Sequence, residues 1–227
     1  MEILNNVKKK LNPNAGDAYG AGWDIMWKVF INLLVVSLVY GFISSPTAAF
    51  QWQGDNGFEW FMAPLLFFAI AFGVFVSAPI GYSVKWVFLK AVRGEQIEIK
   101  DMFSVFQRNY WNAVLGNVIV GIIVGLGIVM LIVPGIIFAC RLAFVPYLII
   151  DREMEVMEAL NKSWQMTKGY GWTIFFMAFL AFWIVILGLL ALIFGVIISS
   201  IWISTAFAAM YQAVVEQDEP FQDAVVA

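Results

Sequence analysis

Histidine is absent from the 227 residues. No imidazole can therefore act as general base, proton relay or metal ligand in this chain. Cysteine occurs once, as Cys140 in the apolar run Ile136 to Ile150, so no internal disulfide can form and the residue reads as packing. Charge is scarce: 13% of residues are Asp, Glu, Lys or Arg, against 62% hydrophobic and a mean hydropathy of +0.85. A soluble domain of this length cannot keep that balance in water, and lipid is the solvent it fits. The formal charge of −3 argues against nucleic acid as a partner. Inside the apolar runs there is no pair of acidic residues, no nucleophile beside a base and no metal-ligand cluster. The expectation is a protein that is not an enzyme and carries no cofactor.

What the chain does have is apolar length. Runs extend from Trp23 to Ile43, Trp60 to Leu89, Trp111 to Val133, Ile136 to Ile150, Trp172 to Phe194 and Val196 to Val215, and each must be helical because a lone strand in lipid leaves its amides unpaired. The expected fold is all-α integral membrane: six transmembrane helices in three hairpins, forming a single membrane domain over 1–227. Residues 1–22 read as a cytoplasmic N-terminal segment and 216–227 as an acidic cytoplasmic tail. Small residues Pro46, Thr47, Ala48 and Ala49 after the first run also suit a secretory signal, but that run is long enough to span and is counted as a helix.

Lysine and arginine fall in alternate connections. Lys8, Lys9, Lys10 and Lys28 flank the first helix; Lys85, Lys90, Arg93, Lys100 and Arg108 surround the second connection; Arg152, Lys162 and Lys168 occupy the fourth. The segments Ser45 to Gly57, Pro134-Gly135 and around Gly195 carry none. The positive-inside bias places the first set, and both termini, in the cytoplasm. The two basic connections are expected to be amphipathic interfacial helices, with Ile99, Met102, Phe103, Phe106 and Tyr110, then Met157, Leu160, Trp164 and Thr167, at helical spacing.

A weak repeat follows each even-numbered helix: Ala91-Val92-Arg93-Gly94-Glu95, Ile149-Ile150-Asp151-Arg152-Glu153 and Val214-Val215-Glu216-Gln217-Asp218-Glu219. It suggests three related helical hairpins. Small residues recur at four-residue spacing at Gly73, Ser77 and Gly81, at Gly121 and Gly125, and at Ser200, Ser204 and Ala208. These are read as close helix packing inside the monomer.

The stretch Val133-Pro134-Gly135-Ile136-Ile137, then Arg141-Leu142, Asp151, Glu158-Ala159-Leu160, Ser163-Trp164, Thr167-Lys168-Gly169 and Trp172 resembles a bacterial multi-pass membrane family of largely unknown function. The same domain occurs fused to glycerophosphoryl diester phosphodiesterases. The resemblance covers the second half of the chain by motif and the first half by hydropathy and length. In the fused proteins a separate domain hydrolyses the substrate with histidines and a metal, and this chain has neither that domain nor a histidine. The resemblance therefore implies a membrane domain without an activity, in a bacterial cytoplasmic (inner) membrane. The family often has a proline in its last helix, where this chain reads Ser200-Ile201-Trp202-Ile203-Ser204.

Arg141 is the leading candidate site residue. Ten residues of helix back from Asp151 would set it about 15 Å inside the membrane, where a charge costs about 3 kcal/mol and marks function by default. Two readings stand: a structural core arginine satisfied by hydrogen bonds, or a ligand site for an anion, naturally the phosphate of an anionic phospholipid. Asn32, Asn117, Ser204 and Thr205 fall at comparable depth as hydrogen-bond partners. The Phe75 carbonyl, left free because Pro79 has no amide proton, is another. Lys85 and Lys28 could line a basic vestibule with Arg141, Asp24 pairing with Lys28 one turn away. Three functions follow: a scaffold or accessory subunit that binds membrane lipid, a transporter or lipid-handling protein with a mid-membrane arginine, and, last, an enzyme. A protein partner would meet the acidic tail or the 45–57 loop.

Overall fold

The computed structural model describes residues 12–49, 63–190 and 192–226, and every regular element among them is helical. Helix α1 (Ala15–Lys28) starts at Asn14, whose side chain accepts the Asp17 amide at 2.8 Å. Asp17 in the first turn and Lys28 in the last complement the helix dipole. Its buried face is Ala18, Tyr19, Gly22, Ile25 and Met26. At Val29 the chain bends by 95° into α2 (Phe30–Ala49).

The expected uninterrupted first span from Trp23 to Ile43 is thus broken. The reason is the apolar stripe of α1, which is used against other helices. A Cβ on Gly22 would lie 2.9 Å from the Ala206 amide nitrogen. Trp202 Nε1 donates to the Tyr19 carbonyl at 2.9 Å, and the Tyr19 hydroxyl donates to the Met177 carbonyl at 2.8 Å. Asp24 and Lys28 are both exposed and form no ion pair with each other, contrary to expectation.

The second span joins α3 (Ala63–Phe72) through a π turn (Gly73–Ser77) to α4 (Ala78–Arg93). Pro79 does leave the Phe75 carbonyl without its helical donor, and the Tyr110 hydroxyl fills the place at 2.7 Å. That carbonyl is therefore no partner for Arg141. Gly94, at φ 72°, ends α4 in the left-handed conformation.

A 3-10 helix (Ile99–Phe106) then runs back along α4. Lys90 Nζ donates to Asp101 at 2.8 Å, and the Val105 amide donates to Ser83 Oγ at 2.9 Å. Three residues per turn, instead of 3.6, bury Met102 and Val105 and leave Phe103 and Phe106 exposed. Of the expected stripe, Met102 is buried against the bundle, while Ile99, Phe103 and Phe106 face outward.

Helix α5 (Tyr110–Met130) turns through Leu131 alone into α6 (Ile132–Arg141). Two glycines allow it: a Cβ on Gly127 would lie 2.8 Å from Gly135 Cα, and one on Gly135 would lie 2.7 Å from the Ile128 amide nitrogen. A turn at Leu142–Phe144 separates α6 from α7 (Val145–Asp151), and α8 (Val156–Met166), α9 (Gly171–Leu190) and α10 (Leu192–Val226) follow. Helix α8 is amphipathic but buries Val156, Ala159, Leu160, Ser163 and Met166; of the expected stripe Leu160 and the C-cap Thr167 are buried, while Met157 and Trp164 are exposed.

Five helices are long and apolar enough to cross a membrane, or six if the bent α1–α2 pair is one span. Gly81 packs under Tyr40, whose hydroxyl oxygen would be 2.9 Å from an added Cβ, but Gly121 and Gly125 have nothing within 4 Å. The expectation that the Gly121–Gly125 face packs within the monomer is overturned. Lys8, Lys9, Lys10 and most of the 45–57 loop lie outside the described residues.

The hairpin glycines give the first test. Gly135→Val should destabilise by about 1–3 kcal/mol through overpacking, read as a lower melting temperature in detergent. Gly121→Ala, with open space around it, should leave melting unchanged.

Candidate anion site where α6 meets α8

Arg141 is the last residue of α6, and its carbonyl has no partner within its own helix. Helix α8 supplies one: Ser163 Oγ donates to that oxygen at 2.8 Å, while the hydroxyl of the C-cap Thr167 lies 3.2 Å from it but is closer, at 2.8 Å, to the Ser163 carbonyl. Trp164, between them in sequence, places its ring 5.5 Å from Arg141 Cζ, and Phe138 stacks 6.0 Å from Trp164. The backbone of Arg141 is thereby locked.

Its guanidinium is not. Among the described residues no hydrogen bond to it is found, and Nη1 is buried without a partner. Leaving a buried donor unmade costs about 1–3 kcal/mol, more for a charged group. The expected hydrogen-bond partners do not satisfy the guanidinium, whose contact is the Trp164 ring.

Of the ten Lys and Arg among the described residues, six hold ion pairs: Lys90 with Asp101, Arg93 and Arg152 with Asp151, Lys100 with Glu98, Arg108 with Glu153, and Lys162 with Asp218. Lys28, Lys85, Arg141 and Lys168 do not. None of these ion pairs reaches Arg141.

The other sequence-predicted residues are dispersed. Asn32 and Lys28 are exposed on either side of the 95° bend. Asn117 and Ser204 are half-buried, and Thr205, fully buried, donates to its own helix at the Ile201 carbonyl at 2.8 Å. None gives Arg141 a hydrogen bond. Lys85 is half-buried over the Tyr147 ring, 5.8 Å from its centroid. The turn at Leu142–Phe144 lies between Arg141 and Asp151, within a stretch, Ile132–Asp151, that is still long and apolar enough to cross a membrane.

Sequence reasoning missed the densest polar cluster. Arg93 at the end of α4 grips Asp151 at the end of α7 through two bonds, 2.6 and 2.9 Å. Tyr211 of α10 donates to the same carboxylate at 3.0 Å, and Arg93 Nε donates to Gln212 at 2.9 Å. Only 4% of the Asp151 side chain is exposed. Trp86 carries Arg93 and Arg108 over its ring, at 5.6 and 5.4 Å. A signal was present: Arg93 and Asp151 occupy the same place in the weak repeat, and the aligned residue of the third segment, Glu216, accepts from Gln212 at 3.0 Å. The chain matches no family model, no curated protein and no solved structure.

Arg93→Gln should cost about 3–5 kcal/mol, because it strands a buried carboxylate. Arg108→Gln, which breaks an exposed pair, should cost under about 1 kcal/mol; denaturation in mixed micelles ranks the two. Acid offers a second check. Burial pushes the Asp101 carboxyl up, but the bonds from Lys90 and the Glu98 amide and the charges of Lys90 and Lys100 outweigh it and hold it below its ordinary value. A depressed carboxyl stabilises fully above its unfolded value, about 3.9, and loses that contribution as pH falls through the folded one. Proteolysis of the 99–106 segment by an acid-active protease should therefore set in below about pH 4, and Asp101→Asn should remove that acid step.

Proposed function

We propose that the protein is a non-catalytic integral membrane scaffold or accessory subunit that holds an anionic phospholipid at Arg141. The observation that carries this reading is the guanidinium with no acceptor of its own, set over an indole beside an interfacial helix. A guanidinium offers parallel N–H donors that match a phosphate, and phospholipid is present wherever the protein is. Helix α8 exposes Glu158, Asn161, Gln165 and Lys168, side chains that water or headgroups solvate, so Arg141 beside it fits headgroup depth better than mid-membrane.

The concentration of Lys and Arg in the connections favours placing that face, and both termini, in the cytoplasm of a bacterial inner membrane. The motif from Val133 to Trp172 keeps the resemblance to an activity-free membrane domain in view. A protein partner would engage the acidic end of α10 or the 45–57 loop.

Lipid mass spectrometry of protein extracted gently from its own membrane tests the proposal. Wild type should carry an enriched anionic phospholipid, and Arg141→Gln, folded by gel filtration, should lose it. Identical lipid profiles would sink the proposal. Transport is the second reading, favoured by the π turn in one span and the break at Leu142–Phe144 in another. It predicts a substrate flux in proteoliposomes that Arg141→Ala abolishes.

A further inference from the structure

Helix α1 carries three stripes at helical spacing. Ala18, Gly22 and Ile25, with Tyr19 and Met26, are buried against the bundle. Gly16, Gly20, Trp23 and Trp27 form a second stripe, exposed throughout, with Trp23 at 40% and Trp27 at 50%. Asp17, Ala21, Asp24 and Lys28 form a third. Its three charges are exposed, and none joins an ion pair among the described residues. A flank of indoles and a flank of charges call for different solvents, yet they are turned only about 100° from each other.

Neighbouring helices show which way the indoles face. Helix α10 carries Glu216 and Asp218 at its polar end. Gly22 abuts Ala206, whereas the Trp23 ring meets Trp202 at 4.9 Å between centroids. Trp202 is four residues, about 6 Å, further from that polar end than Ala206. Tyr19, on the border of the buried and indole stripes, reaches the Met177 carbonyl, six residues into the apolar α9. Past the bend, the Trp27 ring stacks at 5.1 Å on Phe30, the first residue of α2, a helix without Asp, Glu, Lys or Arg. The indoles therefore point along the apolar lengths of α2, α9 and α10.

A single crossing built from α1 and α2 together would carry Asp17, Asp24 and Lys28 into hydrocarbon, at about 3 kcal/mol for each charge near the centre. The 95° bend turns α1 across the direction of α2 instead. Helix α2 alone has 20 residues, about 30 Å of helix, which is enough to cross.

We infer that α1 lies in the plane of the membrane, docks its Trp23–Trp27 stripe on the boundary between lipid headgroups and acyl chains, and leaves the crossing to α2. A lipid surface is the one occupant that suits both exposed flanks, because it offers acyl chains to the indoles and hydrated headgroups to the charges beside them.

Spin labelling tests this. The single cysteine, Cys140, is buried, and Cys140→Ala gives a background for one nitroxide at a time, attached through Gly20→Cys, Trp27→Cys, Asp24→Cys or Lys28→Cys. Each protein, folded by gel filtration, is reconstituted in phosphatidylglycerol and phosphatidylethanolamine vesicles, and its label is saturated against oxygen, which concentrates in hydrocarbon, and a nickel chelate, which stays in water. Labels at 20 and 27 should favour oxygen at one common depth, about 5–10 Å into the boundary, while labels at 24 and 28 should favour nickel. A depth that grows by about 1.5 Å per residue from 20 to 28 overturns the inference, since α1 would then be half of a crossing. Nickel access at all four positions overturns it too, by placing α1 clear of the membrane. Labels at 20 and 27 shielded from both reagents overturn it in favour of a protein partner or a second copy. Should Trp27→Cys misfold, Gly20→Cys, whose added Cβ meets nothing within 4 Å, carries the comparison with both indoles intact.

Discussion

The arrangement of this protein depends on one buried charge, the Asp151 carboxylate, and on the two side chains that satisfy it with three hydrogen bonds. Arg93 offers the bidentate fork, and Tyr211 adds a hydroxyl. Together they fasten the ends of α4 and α7 to α10. A carboxylate with 4% of its side chain exposed is costly to desolvate and tolerable only with close, multiple donors. The pair thus demands register more than it adds stability: if α4, α7 or α10 slid by a turn, about 5.4 Å, the carboxylate would be left bare. Tyr147 stacks on Tyr211 at 4.9 Å and carries Lys85 on its other contact, so the aromatic layer beside the ion pair is held by the same register.

A second regularity concerns the backbone. In two places where a helix loses an internal partner, an element later in the chain supplies one. Pro79 frees the Phe75 carbonyl, and Tyr110, reached through the 3-10 helix, donates to it. Helix α6 ends at Arg141, and Ser163 of the helix after next donates to that carbonyl. In lipid, water cannot fill such gaps and each costs several kcal/mol. The connections are therefore structural members that run back along the spans. This is why helices α1 and α8 and the 3-10 helix bury one face each instead of resting free at the surface.

How much of this was legible follows from which forces act locally. The apolar runs and the amphipathic α8 were readable because hydrophobic periodicity is a local property of the chain. The free Phe75 carbonyl was readable because proline chemistry is local, but its partner was not, since Tyr110 is 35 residues away. The break at Val29 was hidden because Trp23 to Ile43 is apolar throughout, and only tertiary contact between Gly22 and Ala206 explains the bend. The 3-10 geometry of 99–106 escaped because a period of 3.0 and one of 3.6 differ little over eight residues. At the candidate site, Arg141 was singled out by its charge alone.

The contrast between Asp151 and Arg141 carries the last step. The chain can neutralise a buried charge, as the Arg93 fork shows, and six of the ten Lys and Arg among the described residues pair with carboxylates. At Arg141 it instead anchors the backbone through Ser163 and leaves Nη1 without a partner among the described residues. Packing does not require that asymmetry: an apolar residue at the same helix end would let Ser163 cap the same carbonyl without an unmet donor. A cost of this kind in a fold otherwise attentive to polar satisfaction is explained when the missing acceptor comes from outside the chain. Among molecules a membrane protein meets constantly, the anionic phosphate of a lipid headgroup has the charge and geometry to be that acceptor.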